Sequence, residues 1–406
     1  YAVFGMGSDT CGSIRIPSAA CGLVGLKPTI GEIPTAGVVP LSGTMDHVGP
    51  ICRSVADAAK ILDVIAGYDP KDDMTVLSIG RTPSRPYATY AKAGRLDGLR
   101  IGVVREYLNK KLFSQADEQS IDLVERAIAE LRKLGATVVD PGATGSLFQM
   151  CIARSAPRLL NASFTRQYRE AFPVGAAGQP SGDQIATLLE LAADPSRIPA
   201  GLSLRSLGGF GAPGEDRYMM NKYLRERGDA NIKTNADLAE KATFYSDPNF
   251  PDRKQARLNA ERGQVLDTST RVQTRYAMQI MLLQCMQEQK LDALVAPMST
   301  VPPRKLTAPR EPAVNGRPPI GWSTLGQQGF PAITVPAGFT TEVWDRAREG
   351  DGTRLVGPIA ARLPVGVDFV GRPFDEGLLV RIASAYEAAT KHRMPPRGFG
   401  PLAGEP

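Results

Sequence analysis

The stretch Gly7-Ser8-Asp9-Thr10-Cys11-Gly12-Ser13-Ile14-Arg15-Ile16-Pro17-Ser18 gathers small residues, hydroxyls and one charge pair in twelve positions. The apolar run Ala2-Val3-Phe4 reads as a core strand leading into it, and Pro17 suits the first turn of a following helix. Ser13 then falls at a strand-to-helix junction, where the N–H groups of Thr10, Cys11, Gly12 and Ser13 lack helical partners and can converge on an anion. A hydroxyl beside such donors is what acyl transfer requires. The hydroxyl attacks a carbonyl, and the donors hold the oxyanion that develops, each worth roughly 3–4 kcal/mol of barrier. The same pattern fits plainer roles, with Ser13 as a helix cap and Arg15 as a helix-terminal charge. The Cys11 thiol is a second conceivable nucleophile.

Histidine narrows the chemistry further. Only His47 and His392 are present, which excludes a His-rich metal site and leaves a Ser-His-Asp triad two bases at most. His47 sits in Met45-Asp46-His47-Val48-Gly49-Pro50 and reads as a loop residue. His392 lies between Lys391 and Arg393 at the end of the last helix, where cations favour the dipole. The cysteines Cys11, Cys21, Cys52, Cys151 and Cys285 are odd in number and show no close spacing, so the expectation is reduced thiols and no disulfide framework. No cofactor or metal is called for.

The elements that must position this segment are legible around it. Ser54-Val55-Ala56-Asp57 opens a helix with a capping-box-like start, Val55, Ala58, Leu62 and Ile65 follow at helical spacing, and Gly67 stops it. Leu99 to Val104 reads as a buried strand, Asp117 to Leu134 as an amphipathic helix, and Ala136 to Val139 as a strand again. That alternation predicts an α/β fold with a large mixed, mostly parallel sheet covered by helices on both faces. Residues 145–260 are rich in Gly and Pro and predict helices and loops that shape a substrate pocket. A long helix is expected from Arg262 to Gln289, strands at Leu291 to Ala296, Ala332 to Pro336 and Val365 to Val370, and a last helix from Asp375 to Lys391. With 406 residues, 42% hydrophobic and 22% charged, the chain can bury a large core unaided. A net charge of +6 without a Lys/Arg block points away from nucleic acid, and no apolar run near 18 residues points to a membrane.

Residues 7–29, GSDTCGSIRIPSAACGLVGLKPT, resemble the signature block of the amidase signature family, serine hydrolases that cleave amides. The likeness continues through Gly37-Val38-Val39-Pro40, residues 45–50 and the helix from Ser54. It returns at residues 329–336, GFPAITVP, and 363–373, LPVGVDFVGRP. Ordered blocks span nearly the whole chain, which implies one amidase-signature domain over residues 1–406 with 145–260 as its elaboration. The resemblance implies that Ser13 is the nucleophile, that the amides of Thr10, Cys11, Gly12 and Ser13 form the oxyanion hole, and that Asp9 and Arg15 brace the site. Lys27 belongs to a structural block, and Cys11 stands where many relatives have Gly. Trp322 and Phe330 fall in a region that the resemblance puts near the acyl pocket. The family's Ser–Ser–Lys triad draws its lysine and bridging serine from upstream of the nucleophile. Only 12 residues precede Ser13, so the resemblance implies that this chain lacks the N-terminal part of the family domain.

The function expected is metal-independent hydrolysis of a small or aryl amide through a Ser13 acyl-enzyme. A carbamate or urea-type substrate serves the same attack, and a non-catalytic ligand-binding or subunit role is the alternative of a different class. Ile16 stands where transamidating members that act on Glu-tRNA carry Gln, which points away from that complex. The partner expected is a small amide or carbamate, with a homodimer as the possible assembly.

Overall fold

Side chains of the apolar runs alternate between two cores on opposite faces of one sheet. A computed structural model describes residues 2–175, 178, 180–199, 201–204, 206, 211–245, 252–314, 324–396, 398 and 400. In chain order the elements are β1 (Phe4–Ser8), α1 (Arg15–Cys21), β2 (Val24–Lys27), β3 (Val48–Cys52), α2 (Val55–Ile65), β4 (Arg100–Val103), α3 (Gln115–Lys133) and β5 (Thr137–Val139). Helices α4 (Gln149–Leu159), α5 (Asn161–Gln167), α6 (Gln184–Ala193), α7 (Glu215–Arg227), α8 (Asn235–Lys241), α9 (Arg253–Ala260) and α10 (Ser269–Glu288) follow. The chain closes with β6 (Ala293–Pro297), α11 (Thr324–Gln327), β7 (Ala332–Phe339), β8 (Glu342–Glu349), β9 (Gly352–Ala360), β10 (Pro364–Gly371) and α12 (Glu376–Thr390).

The main sheet has eight strands in the order β1-β3-β2-β7-β10-β6-β4-β5. It is the large mixed sheet of an α/β fold, but parallel pairing is confined to β6–β4 and β4–β5. The pairs β1–β3, β2–β3, β2–β7, β7–β10 and β10–β6 are antiparallel. The strand–helix–strand unit at β4-α3-β5 gives the parallel end, as expected. A loop between β2 and β3, and the β8–β9 hairpin between β7 and β10, reverse the chain and give antiparallel pairing there. On one face Val103, Val295, Ile333, Val367 and Phe369 pack with α2, α3 and α12. On the other Leu294, Ala296, Ala332 and Val370 pack with α4 and α10. The alternation 294/295/296 and 369/370 is the period-2 signature of a strand buried on both faces.

Three expectations are corrected. The run Ala2-Val3-Phe4 is not a core strand: β1 is an edge strand, and Val3 and Phe4 are 61% and 49% exposed. A three-residue apolar run looks the same at the edge of a sheet as inside it. Helix α10 begins at Ser269 rather than Arg262, because the Asp267 carboxylate takes the N–H groups of Ser269 and Thr270 at 2.9 and 3.3 Å. Cys151 of α4 and Cys285 of α10 form a disulfide inside the second core, whereas Cys11, Cys21 and Cys52 are free. Their separation of 134 residues carries no spacing signal that would have paired them. Among the described residues no helix is long and apolar enough to cross a membrane.

Candidate active site

The turn between β1 and α1 is held by one buried carboxylate. Asp9, 1% exposed, accepts the N–H of Gly12 at 2.6 Å and of Ile14 at 3.2 Å, so its side chain closes the loop on itself. Its backbone exchanges hydrogen bonds with His47 at 2.7 and 3.2 Å. Gly12 carries a φ of +131°, and a Cβ there would stand 2.8 Å from Ile16 Cδ1. Only glycine accepts that backbone and that contact together. Ile16 N then donates to Gly12 O at 2.7 Å, α1 follows with Pro17 in its first turn, and Gly22 ends it in the left-handed conformation.

Ser13 is exposed at this junction, where the sequence places it, and its hydroxyl bonds no other described residue. The backbone N–H groups of Thr10, Cys11 and Ser13 likewise donate to no acceptor among the described residues. Gly12 differs from the expectation. Its N–H is committed to the Asp9 carboxylate, so it is not available to an oxyanion in this arrangement. The residue shapes the loop instead of contributing a donor. Cys11 is exposed, and its Sγ receives the Gln327 amide at 3.2 Å.

Arg15 ties this loop to the middle of the sheet. The guanidinium, 1% exposed, meets Asp9 Oδ2 through Nε and Asp368 Oδ2 through Nη1, both at 3.1 Å. Asp368 lies on β10 between Val367 and Phe369, so it points to the opposite face from them, and its second oxygen takes the Thr334 hydroxyl. Burial alone would raise the Asp9 carboxyl; the Arg15 guanidinium, aided by Lys27, overrides burial and holds it at about 2. Arg15 is pushed above its ordinary value by the same two carboxylates against the opposing effect of burial. Asp9 and Arg15 therefore stand together as the sequence suggests, and Asp368 is the partner it did not reveal. The available signal was a charged residue inside the apolar run 365–370, where only a buried ion pair accommodates one.

Lys27 is fully buried at the end of β2 and donates to Phe330 O at 2.7 Å and Pro28 O at 3.4 Å. Burial, reinforced by Arg15, lowers it to about 7. That value suits a general base, but the amine is fully buried and engaged by two carbonyls, whereas Ser13 is exposed. Its role in this geometry is structural, in keeping with the sequence reading. His47 is also buried, with Nδ1 3.1 Å from Asp9 O, and burial keeps it well below its usual range. Phe330 is 0% exposed within the second core, so its side chain does not line a pocket as expected. An apolar residue following Gly329 packs inward here because β7 begins two positions later. Trp322 lies outside the described residues.

Two hollows flank the loop. A cavity of about 360 Å³ opens beside Thr44, Asp46, Glu215, Tyr218 and Thr268. Asp46 connects it to the Ser13 loop by accepting the Thr10 hydroxyl. A second, of about 110 Å³, lies along α1 against Ile16, Ala19, Val301 and Pro303. Glu215 and Tyr218 come from the stretch 145–260 that the sequence expects to shape a pocket, but its weak patterning did not single out either residue, and Thr268 lies beyond it.

Known proteins share this arrangement of sequence and fold. The sequence profile of the family described as Amidase matches residues 1–158 and 214–380. The chain is similar to a glutamyl-tRNA(Gln) amidotransferase subunit of Chloroflexus aurantiacus, with 28% identity over 398 residues, covering 97% of this chain and 64% of that protein. It is similar to the counterpart in Myxococcus xanthus, with 30% identity over 95% of this chain and 63% of the relative. Among solved structures, it resembles the native peptide amidase of Stenotrophomonas maltophilia with a TM-score of 0.61 and 25% identity, covering 98% of this chain and 64% of that one. The chain thus spans just under two thirds of the length of these relatives.

Proposed function

This chain belongs to the amidase family, and on that premise we propose that it cleaves amide C–N bonds through an acyl-enzyme formed on Ser13. The observation that carries the reading is the juxtaposition of the exposed Ser13 hydroxyl with the unengaged N–H groups of Thr10, Cys11 and Ser13. In the first half-reaction Ser13 Oγ attacks the carbonyl carbon and loses its proton, and the N–H groups receive the negative charge that grows on the carbonyl oxygen. Collapse of the tetrahedral species breaks the C–N bond and releases the amine, which takes up a proton. Water then hydrolyses the ester. The Asp9–Arg15–Asp368 brace supports the donors in advance, and donors fixed beforehand need no reorganisation as charge develops.

A serine hydroxyl needs a base. The resemblance assigns that task to a lysine acting through a second serine upstream of the nucleophile, and residues 1–12 contain no lysine. A small or aryl amide is the substrate class favoured; a carbamate suits the same attack, and rates on matched anilides and carbamates separate the two. Membership of a transamidating assembly, which the names of the curated relatives bring to mind, fits less well with an apolar Ile16 on α1. The decisive experiment is intact mass of the purified chain before and after a fluorophosphonate, with Ser13→Ala as control. One adduct, absent from the variant, supports the reading. A folded wild-type chain that takes up no adduct overturns it and puts the ligand-binding alternative first.

A further inference from the structure

Helix α10 buries two guanidiniums with donors that bond nothing. Arg271 and Arg275 are 4% and 5% exposed, and Arg271 Nε with Arg275 Nε and Nη2 are buried without a hydrogen-bond partner among the described residues. The two stand four residues apart and so share one face of the helix, where like charges repel. Burial lowers both, and Arg271 helps bring Arg275 to about 10. The nearby carboxylate does not resolve this. Glu215 Oε2 accepts the Ser42 hydroxyl and its Oε1 the Thr44 N–H, each at 2.7 Å, and no ion pair joins it to either arginine.

A fourth idle donor belongs to a residue tied to the same helix. Gln328 is 1% exposed, and its Nε2 is also buried without a partner. Gln279, one turn beyond Arg275 on α10, donates to Gln328 O at 2.7 Å and so fixes Gln328 against that part of the helix. The preceding residue, Gln327, touches Cys11 Sγ, and the Cys11 thiol is itself close enough to influence Arg271. In the other direction the helix face leads through Thr268 into the cavity of about 360 Å³ beside Asp46. The arginines thus follow Thr268 of the cavity wall along α10, and Gln328 follows the residue that touches Cys11 of the Ser13 loop. Charged donors withdrawn from water with nothing to bond are the arrangement of a preformed anion site, and a planar guanidinium suits the two oxygens of a carboxylate.

We infer that Arg271, Arg275 and Gln328 form a subsite for a carboxylate carried by the amide substrate. The substrate class is then an amide with a free carboxylate a few bonds from the scissile carbonyl, such as the monoamide of a short dicarboxylic acid. This deepens the Ser13 reading and rests on it only in calling the ligand a substrate. The neutral diamide of the same skeleton leaves the guanidiniums unpaired and is rejected.

Calorimetric titration of the chain with succinate and glutarate, against succinamide and glutaramide, tests the inference without turnover. The dicarboxylates bind at least tenfold more tightly than the diamides. Arg271→Gln and Arg275→Gln each lower dicarboxylate affinity at least tenfold while the melting temperature holds or rises, and Arg275→Lys recovers part of the loss. Should the dicarboxylates fail to bind the wild-type chain at millimolar concentration, or bind both Gln variants equally well, the inference is overturned. Fluorophosphonate labelling run in parallel keeps the two readings apart. Labelling of Ser13 without dicarboxylate binding removes the subsite alone, and dicarboxylate binding without labelling removes only the acyl-enzyme.

Discussion

Replacing Arg15 with Met keeps most of the side chain's volume but strands two carboxylates, Asp9 and Asp368, at 1% and 0% exposure. In the native chain Asp9 is held at about 2, against about 3.9 when unfolded, which corresponds to roughly 2.6 kcal/mol of stability at neutral pH. Removing one partner from a buried ion pair generally costs about 3–5 kcal/mol. Arg15→Met is therefore expected to lower the unfolding free energy at pH 7 by about 3–5 kcal/mol. The pH dependence carries the diagnosis. In the wild type the depressed Asp9 carboxyl contributes fully above about pH 4, and that contribution is lost as pH falls through about 2. In the variant, burial without Arg15 raises the folded Asp9 carboxyl above its unfolded value and pushes Asp368, which burial already raises in the wild type, further up. The variant then gains stability as pH falls and those groups protonate. The deficit should shrink between pH 7 and pH 4, by up to about 1.4 kcal/mol per pH unit for each carboxyl. Urea unfolding of both proteins at pH 4, 5.5 and 7 reads it directly. A deficit below about 1 kcal/mol at pH 7, or one that is flat with pH, refutes the brace.

Other expectations are quicker to check. Gly12→Ala forces a side chain into a φ of +131° and against Ile16, so it should cost about 1–3 kcal/mol and abolish fluorophosphonate labelling; labelling at the wild-type rate argues against the loop geometry. Lys27 at about 7 is charged in both states below that pH and bears the burial penalty when folded. Between about pH 7 and 10 the native chain sheds the proton that the unfolded chain keeps, so stability rises with pH. Lys27→Met should flatten that rise, and an unchanged slope in urea midpoints would point to another group. Alkylation of the unfolded, unreduced chain should modify the free thiols Cys11, Cys21 and Cys52, with Cys151 and Cys285 reacting only after reduction; modification of all the cysteines without reductant excludes the disulfide.

Much of this architecture is visible in residue order because its signals are local. The cap at Ser54 accepts the Asp57 N–H, and the apolar spacing 55, 58, 62 produces α2 as expected. The periodic run from Gln115 gives α3, and the glycine after it opens β5. Ser13 was legible for the same reason, since turn, glycine and proline lie within a few positions. What was hidden depends on distant pairings. Nothing near Asp368 announces that its partner is Arg15, and Cys151 gives no indication of Cys285. Sheet direction was misjudged because β4-α3-β5 is the one clear crossover, whereas β2 and β3 are short and their antiparallel register is set by loops. Arg271 and Arg275 carry no mark in the sequence beyond a four-residue spacing on a long helix. Only the packed structure reveals that they are withdrawn from water.

The brace also has a temporal meaning. Arg15 and Asp368 are 353 residues apart, and Lys27 and Phe330 are 303 apart. The entropy of closing such loops grows only logarithmically with length, but contacts this remote are among the last a chain can make. The Ser13 loop lies near the start of the described chain, and β10, which anchors it, near the end. Contact order then predicts that this tie forms later than the helical units, which depend on neighbouring residues. A chain in which β10 has not yet docked lacks the Arg15–Asp368 tie behind the Ser13 loop.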